Sequence, residues 1–238
     1  MEVIYEDNHI IIVSKSSSEI VQGDKTGDTP LSETVKQYIK EAYAKPGNVF
    51  LGVVHRLDRP VSGLVLFART SKALPRLNTM FAGGDVHKTY WAIVPQPSAQ
   101  ASAQLDGQWH TLTHWIVRNE KQNKSYAYDR EVPQSKRAIL DYRLIASSDR
   151  YNLLEVNLHT GRHHQIRCQL AKIGCPIKGD LKYGSKRSNP DGSICLHSRR
   201  VEFIHPVSKQ PIIAEAPVPD DNLWHALTDS ITTQVPHK

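Results

Sequence analysis

The chain has 238 residues, 39% of them hydrophobic, with a formal net charge of +6, enough to bury about 70–75% of the surface that its unfolded state exposes. At roughly 150 residues per domain, one large domain over residues 1–238, with room for two lobes, is expected. Cys168, Cys175 and Cys195 form no Cys-x-x-Cys pair, which excludes a disulfide framework and a zinc ribbon, and MEVIYEDNHIIIVSK has neither a basic start nor the ~18 apolar residues of a membrane span, so secretion and membrane insertion are not expected and a cytoplasmic protein is.

Short apolar or alternating runs rich in Ile, Val and Tyr predict strands at Val3–Tyr5, His9–Val13, Gly63–Arg69, Lys88–Val94, Ala138–Ile145, Leu153–Leu158, Ile194–Ile204 and Pro211–Glu215. Ala138–Ile145 and Leu153–Leu158 are joined by SSDRYN, whose Ser and Asp residues favour a turn, so an antiparallel hairpin is expected. Helical periodicity falls at Leu31–Ala44, Lys72–Phe81, Arg162–Ile173 and Asp221–Ile231. For Arg162–Ile173, Thr160 is the expected N-cap, Gly174 the left-handed C-terminal residue and Pro176 the stop. Ile166, Leu170 and Ile173 make its buried stripe, with Arg162, Gln165 and Arg167 off the centre. Strands interleaved with few helices predict an α+β fold with a mixed, largely antiparallel central sheet flanked by helices. No Gly-x-Gly-x-x-Gly follows a strand and no Gly-Lys-Ser/Thr closes a glycine loop, so dinucleotide and P-loop folds are excluded.

Charge is unevenly placed. Thr160–Arg200 carries nine Lys or Arg residues against two acids, Asp180 and Asp191, while the rest of the chain is close to neutral. Such a cluster suits a polyanion, because Lys and Arg neutralise phosphates and release counterions. The histidines at 159, 163 and 164 lack a carboxylate or cysteine at ligand spacing, so no metal site is expected.

Three segments combine reactive side chains with turn-setting neighbours: HRLDRPVSGLVLFARTSKA from His55, KTYWAIV from Lys88, and TGRHHQIRCQLAKIGCPIKGDLKYG from Thr160. In this order and spacing they resemble the RluA family of RNA pseudouridine synthases, and VIYEDNHIIIVSK and ICLHSRRVEFIHP extend the resemblance over nearly the whole chain to about Asp220. No S4-type RNA-binding domain is expected before them. The resemblance implies the pseudouridine synthase fold with its active-site cleft, and isomerisation of uridine in ribosomal or transfer RNA without a cofactor. It places the catalytic carboxylate at Asp58, the base-facing ring at Tyr90, and at Arg167 the partner of the Asp58 carboxylate. His55, Arg56, Lys88, Arg162, His163, Gln165, Lys178 and Lys182 become the expected RNA contacts, with Arg56 filling the space left by a flipped uridine; His164 borders the same site. RNA is the expected partner and a monomer the expected state. Three departures from the family pattern are Ser16-Ser17-Ser18-Glu19 after Lys15, where a Pro-Ser/Ala-Gly turn is usual, Val61 in place of Thr, and Gln169 in place of His. The competing readings are a catalytically silent RNA-binding module on the same fold and a metal-dependent phosphoesterase using the histidine-rich segment.

Overall fold

The computed structural model describes residues 1–24, 26–98 and 101–233, and its internal contacts divide the chain into two compact units. The first comprises Met1–Lys88 with Ser198–Pro217, the second Thr89–His197 with Val218–Lys238. Among the described residues no helix is long and apolar enough to cross a membrane.

In the first unit, strands β1 (Glu2–Glu6), β2 (Ile10–Lys15), β3 (Gly52–Val53) and β4 (Ser62–Ala68) join β11 (Pro211–Glu215) and most of β10 (Leu196–Ile204) in the order β1-β2-β4-β10, with β3 on β4 and β11 on β10. The β1–β2, β2–β4, β3–β4 and β10–β11 pairs are antiparallel. β2 and β4 are apolar on both faces, so their residues alternate between two buried layers. Ile10, Ile12, Leu64, Leu66, Val201 and Phe203 pack with Ala73 and Leu77 of helix α2 (Ala73–Gly83), each large side chain contributing about 1.5–3 kcal/mol. α2 stops at Gly84, whose φ of 84° is left-handed and whose N–H reaches the Met80 carbonyl. Helix α1 (Leu31–Ala42) buries Leu31, Val35 and Ile39, four residues apart, as its periodicity requires. Gly63 sits at φ 108°, and a Cβ there would come within 2.3 Å of the Ser198 carbonyl oxygen, so only glycine admits this close strand approach.

The second unit is built on most of β5 (His87–Pro95) with β6 (His110–Asn119), β7 (Lys124–Tyr128), β8 (Lys136–Ser147) and β9 (Tyr151–Leu158), ordered β5-β9-β8-β6-β7 and antiparallel throughout. The expected β8–β9 hairpin is present, closed by Ser148 and Tyr151 and carrying a bulge between Leu144 and Ala146. Helix α3 (Gln165–Lys172) packs on β6 and β7, where Cys168 and Ala171 meet Ile116, Ala127 and Ala138. Helix α4 (Asn222–Thr233) packs on β8. The chain is thus α+β with a largely antiparallel sheet and few helices, as expected.

The structure departs from the sequence reading at α3. His164 is left-handed (φ 53°, ψ 28°), which no helix interior accepts, so the helix starts at Gln165 and not at Arg162. Thr160 is no N-cap; its hydroxyl accepts the Ile139 N–H at 2.9 Å and donates to Gln165 Oε1 at 2.8 Å. The helix is also enclosed almost all round, so Gln165, Arg167 and Gln169 are as buried as Ile166 and Leu170. Gly174, at φ 85°, ends the segment left-handed as expected.

Candidate active site

In the first unit Asp58 lies half-buried in the loop between β3 and β4. Its carbonyl accepts the Val61 N–H at 3.0 Å, which closes a tight turn through Arg59-Pro60. The turn is fastened from beneath by Lys15, a fully buried lysine whose Nζ donates to the carbonyls of Ser16 (2.9 Å), Arg59 (3.1 Å) and Val61 (2.6 Å). Buried carbonyls need a donor, and two of these three belong to the Asp58 turn. Burial lowers the Lys15 pKa to about 8, a shift that the Glu19 and Asp58 carboxylates oppose. The atypical Ser16–Glu19 segment closes on the same turn: Glu19 accepts the Ser16 N–H at 2.8 Å, and Ser18, at φ 74°, donates its N–H to the Arg59 carbonyl at 2.9 Å. Arg59 pairs with Asp28 at 2.6 Å and donates to Thr26 at 2.9 Å.

The sequence marked Lys15 only as the residue before the atypical Ser16–Glu19 segment, and its burial gives it a testable signature. A lysine whose folded pKa is depressed binds fewer protons than the unfolded chain between the two values, so stability rises with pH across that window. Between pH 8 and 10.5 the unfolding free energy should gain about 3 kcal/mol from this group. Denaturant titrations of Lys15→Met should lack that rise and, because buried carbonyls lose their donor, show a loss of about 2–3 kcal/mol at pH 7.

The other residues expected of this unit have distinct surroundings. His55 Nε2 accepts the Leu66 N–H at 3.0 Å and its ring stacks on Phe81 at 4.8 Å between centroids. Burial, helped by the Lys88 charge, pushes its imidazole down to about 3, so it is neutral and ties the loop to β4. Lys88 lies over the same Phe81 ring at 5.4 Å, its pKa lowered by burial. Arg56 is exposed.

In the second unit Tyr90 is buried on β5, opposite Val156 of β9. Arg167 on α3 is buried with Asp180 as a two-pronged pair, Nε to Oδ2 at 2.7 Å and Nη2 to Oδ1 at 2.9 Å. Its guanidinium also lies 5.1 Å from the centroid of the Tyr183 ring. The Tyr183 hydroxyl accepts the Ser125 N–H at 2.8 Å and stands 2.9 Å from His164 Nδ1. A neutral His164 can accept the hydroxyl proton at Nδ1. Burial and the Arg167 charge drive the His164 pKa far down, in agreement. Asp180 and Tyr183 were not singled out from sequence, where Asp180 counted only as an acid inside a basic segment. An acid followed three residues later by Tyr-Gly, in a turn after a buried helical arginine, is the signal that was available.

The expected RNA contacts of this unit divide into three places. At the start of α3, Arg162 is exposed and donates to the Arg137 carbonyl at 3.1 Å, while His163 is 2.8 Å from the Ser125 hydroxyl and stacks on His164 at 3.8 Å. Gln165 is buried and acts as an internal brace, accepting the Arg162 N–H at 2.9 Å and donating to the Ile139 carbonyl at 3.1 Å. Lys182 turns to the β6–β7 connection and donates to the Gln122 and Asn123 carbonyls at 3.4 and 3.0 Å. Lys178 faces another way, 2.5 Å from Asn189 Oδ1 and 6.0 Å from the Tyr151 ring. Gln169, where the family usually has His, is fully buried and bonds His114 Nδ1 at 3.0 Å. Among the described residues no cluster of three or more His, Cys, Asp or Glu has the geometry to hold a metal ion.

Residues 9–172 match the family model described as RNA pseudouridylate synthase. The chain is 32% identical over 238 residues to ribosomal large subunit pseudouridine synthase D of Xanthomonas campestris pv. campestris, covering 93% of this chain and 67% of that relative. With tRNA pseudouridine synthase C of Vibrio cholerae serotype O1 it shares 28% identity over 245 residues, covering 95% of this chain and 94% of the relative. Its fold resembles human RNA pseudouridylate synthase domain containing 4, with a TM-score of 0.72 at 20% identity over 92% of this chain and 89% of the other. The match runs through the Asp58 and Tyr90 segments and into α3, and on that extent the chain belongs to the RluA-type RNA pseudouridylate synthase family.

Proposed function

We propose that this chain isomerises uridine to pseudouridine in a structured ribosomal or transfer RNA. The observation that carries the reading is the continuous family match over residues 9–172, which contains the Asp58 turn, Tyr90 and Arg167. The reaction breaks the N1–C1′ bond, joins C1′ to C5, and exchanges the C5 hydrogen for a proton on N1. No electrons are gained or lost. One carboxylate able to act as nucleophile or base, a pocket that excludes water, and a route for one proton suffice. Asp58 is assigned the carboxylate, held in a turn whose carbonyls are fixed by Lys15. Tyr90 is assigned the target base, its ring stacking on uracil. Arg167 supplies the cationic side of the site, seated by Asp180. Arg56, exposed and planar, suits the gap left by a flipped uridine, and Arg162 and His163 suit phosphates of the same RNA. His55 and Gln165 serve by bracing the loops that carry these groups.

Incubating the purified chain with RNA carrying tritium at C5 of uridine tests the reading. Tritium should appear in water in proportion to pseudouridine formed. No release from ribosomal or transfer RNA lacking natural pseudouridine would refute it. Exhaustive dialysis against EDTA should leave release unchanged once magnesium is restored for RNA folding. A loss restored only by zinc or manganese would favour the metal-dependent alternative.

A further inference from the structure

We propose that the second unit carries a nucleotide-binding pocket for a position of the substrate RNA other than the target uridine. The site is a cavity of about 600 Å³ whose lining includes Gln96, Tyr151, Lys178, Lys186, Arg187 and Asn189. This inference rests on the RNA-modifying function proposed above and specifies how the strand is held beyond the reacting base.

The lining contains three cations and no acid. The segment that supplies two of them is a built loop. Ser185 Oγ accepts the Gly179 N–H at 3.1 Å and donates to the Arg187 carbonyl at 3.0 Å, so the chain is folded back on both sides of Lys186. Asn189 is buried and donates to Ser193 Oγ at 3.1 Å, while its Oδ1 accepts from Lys178. Gly179, at φ 89°, is pressed so close that a Cβ would lie 2.6 Å from the Ser193 carbonyl oxygen. The polar side chains of the loop are thereby consumed internally. Among the described residues Lys186 and Arg187 make no side-chain hydrogen bond or ion pair, and both are exposed at the cavity. Holding two unpaired cations side by side costs free energy that an anionic ligand returns.

The remaining lining selects a nucleotide over a simple anion. Tyr151 offers a half-exposed ring at the wall, and aromatic stacking is how unpaired bases are held without regard to sequence. The pocket begins at Pro95, which pairs with Tyr151 across β5 and β9, five residues along β5 from Tyr90. At 3.3 Å per residue that is about 16 Å along the strand, and the odd number of residues turns the Pro95–Tyr151 pair to the opposite face of the sheet from Tyr90. A nucleotide seated here is therefore a separate position from a uridine at Tyr90. The volume and the aromatic wall accommodate a whole base, which a phosphate site does not need.

Fluorescence anisotropy with a labelled twelve-residue oligouridylate, across a range of salt, tests this. Wild-type chain should bind the oligomer with a strong salt dependence. Lys186→Ala/Arg187→Ala should lower the slope of log affinity against log salt by about 1.4, at roughly 0.7 for each single-strand phosphate no longer neutralised, and weaken binding about tenfold at low salt. Tyr151→Ala should weaken binding roughly 5- to 150-fold with the slope unchanged, and Tyr151→Phe, which keeps the ring and its packing, should restore it. Lys182→Ala, whose amine is engaged by carbonyls of the β6–β7 connection, should shift the slope less than the double variant. An unchanged slope and affinity in the double variant, or absence of oligomer binding by the wild type, overturns the pocket. A reduced slope with Tyr151→Ala indistinguishable from wild type leaves only a charged face and overturns the nucleotide assignment. Uridine monophosphate bound as tightly as the oligomer, and lost in both variants, would assign the pocket to a free nucleotide and overturn the RNA position. Tritium release by the wild type is scored separately: release with no effect of the variants rejects the pocket alone, and variant effects without release reject the isomerase reading alone.

Discussion

Asp58→Asn should yield a folded protein that binds RNA and releases no measurable tritium from C5-labelled uridine. The substitution keeps side-chain size and removes the charge, and the turn that carries residue 58 is held by backbone groups: its carbonyl to the Val61 N–H, and Lys15 to the carbonyls of Arg59 and Val61. These backbone bonds do not depend on the carboxylate, whereas on the proposed role a nucleophile or base is removed outright. Loss of a group of this kind typically costs about 10⁴-fold or more in turnover. Circular dichroism and oligomer binding must accompany the assay. An unfolded variant would make Asp58 structural, and near-normal release by a folded one would remove it from the chemistry. The silent RNA-binding alternative predicts no release from the wild type either.

Arg167→Met should be the most destabilising single change in the second unit. The arginine is 5% exposed and its partner Asp180 1% exposed, joined by two short hydrogen bonds. Removing the cation leaves a buried carboxylate uncompensated, which costs about 3–5 kcal/mol. Asp180→Leu strands the arginine and should cost a similar amount. The double variant Arg167→Met/Asp180→Leu should recover a large part of either loss, because two apolar side chains of matching volume need no desolvation. Denaturant midpoints of the four proteins give the coupling directly. Additive losses would show that the two residues stabilise the unit through other contacts. On the role proposed for Arg167, activity should be low in Arg167→Met and in the double variant whatever their stability.

Much of this was legible in the sequence. The apolar runs of β2 and β4 and the turn formers between β8 and β9 announce their structure locally, as does the four-residue spacing of Leu31, Val35 and Ile39. β6 and β7 were missed because they alternate poorly. In His110–Asn119, Leu112, His114 and Ile116 share one face while Trp115 and Val117 sit half-exposed on the other, so neither face reads as polar. β3 spans two residues, too few for any period. The start of α3 was misplaced because side chains decide it: Gln165 reaches back to the Arg162 N–H and a left-handed His164 blocks the preceding turn. The reactive candidates at 58, 90 and 167 came from the motif resemblance. Their supports, Lys15 from 43 positions away and Asp180 from 13, are tertiary contacts that leave only ordinary residue types in the sequence. The basic Thr160–Arg200 segment also proved to be several surfaces, since Arg167 is buried, Lys182 serves the β6–β7 connection, and Lys178, Lys186 and Arg187 meet at one cavity.

Uridine isomerisation by this chain is tested most directly by mapping pseudouridine, by chemical labelling at nucleotide resolution, in total RNA from cells that carry the gene, lack it, or carry only the Asp58→Asn form. At least one position in ribosomal or transfer RNA should be pseudouridine in the first cells and uridine in the other two. Identical maps in all three, with the protein present and folded, would contradict the account.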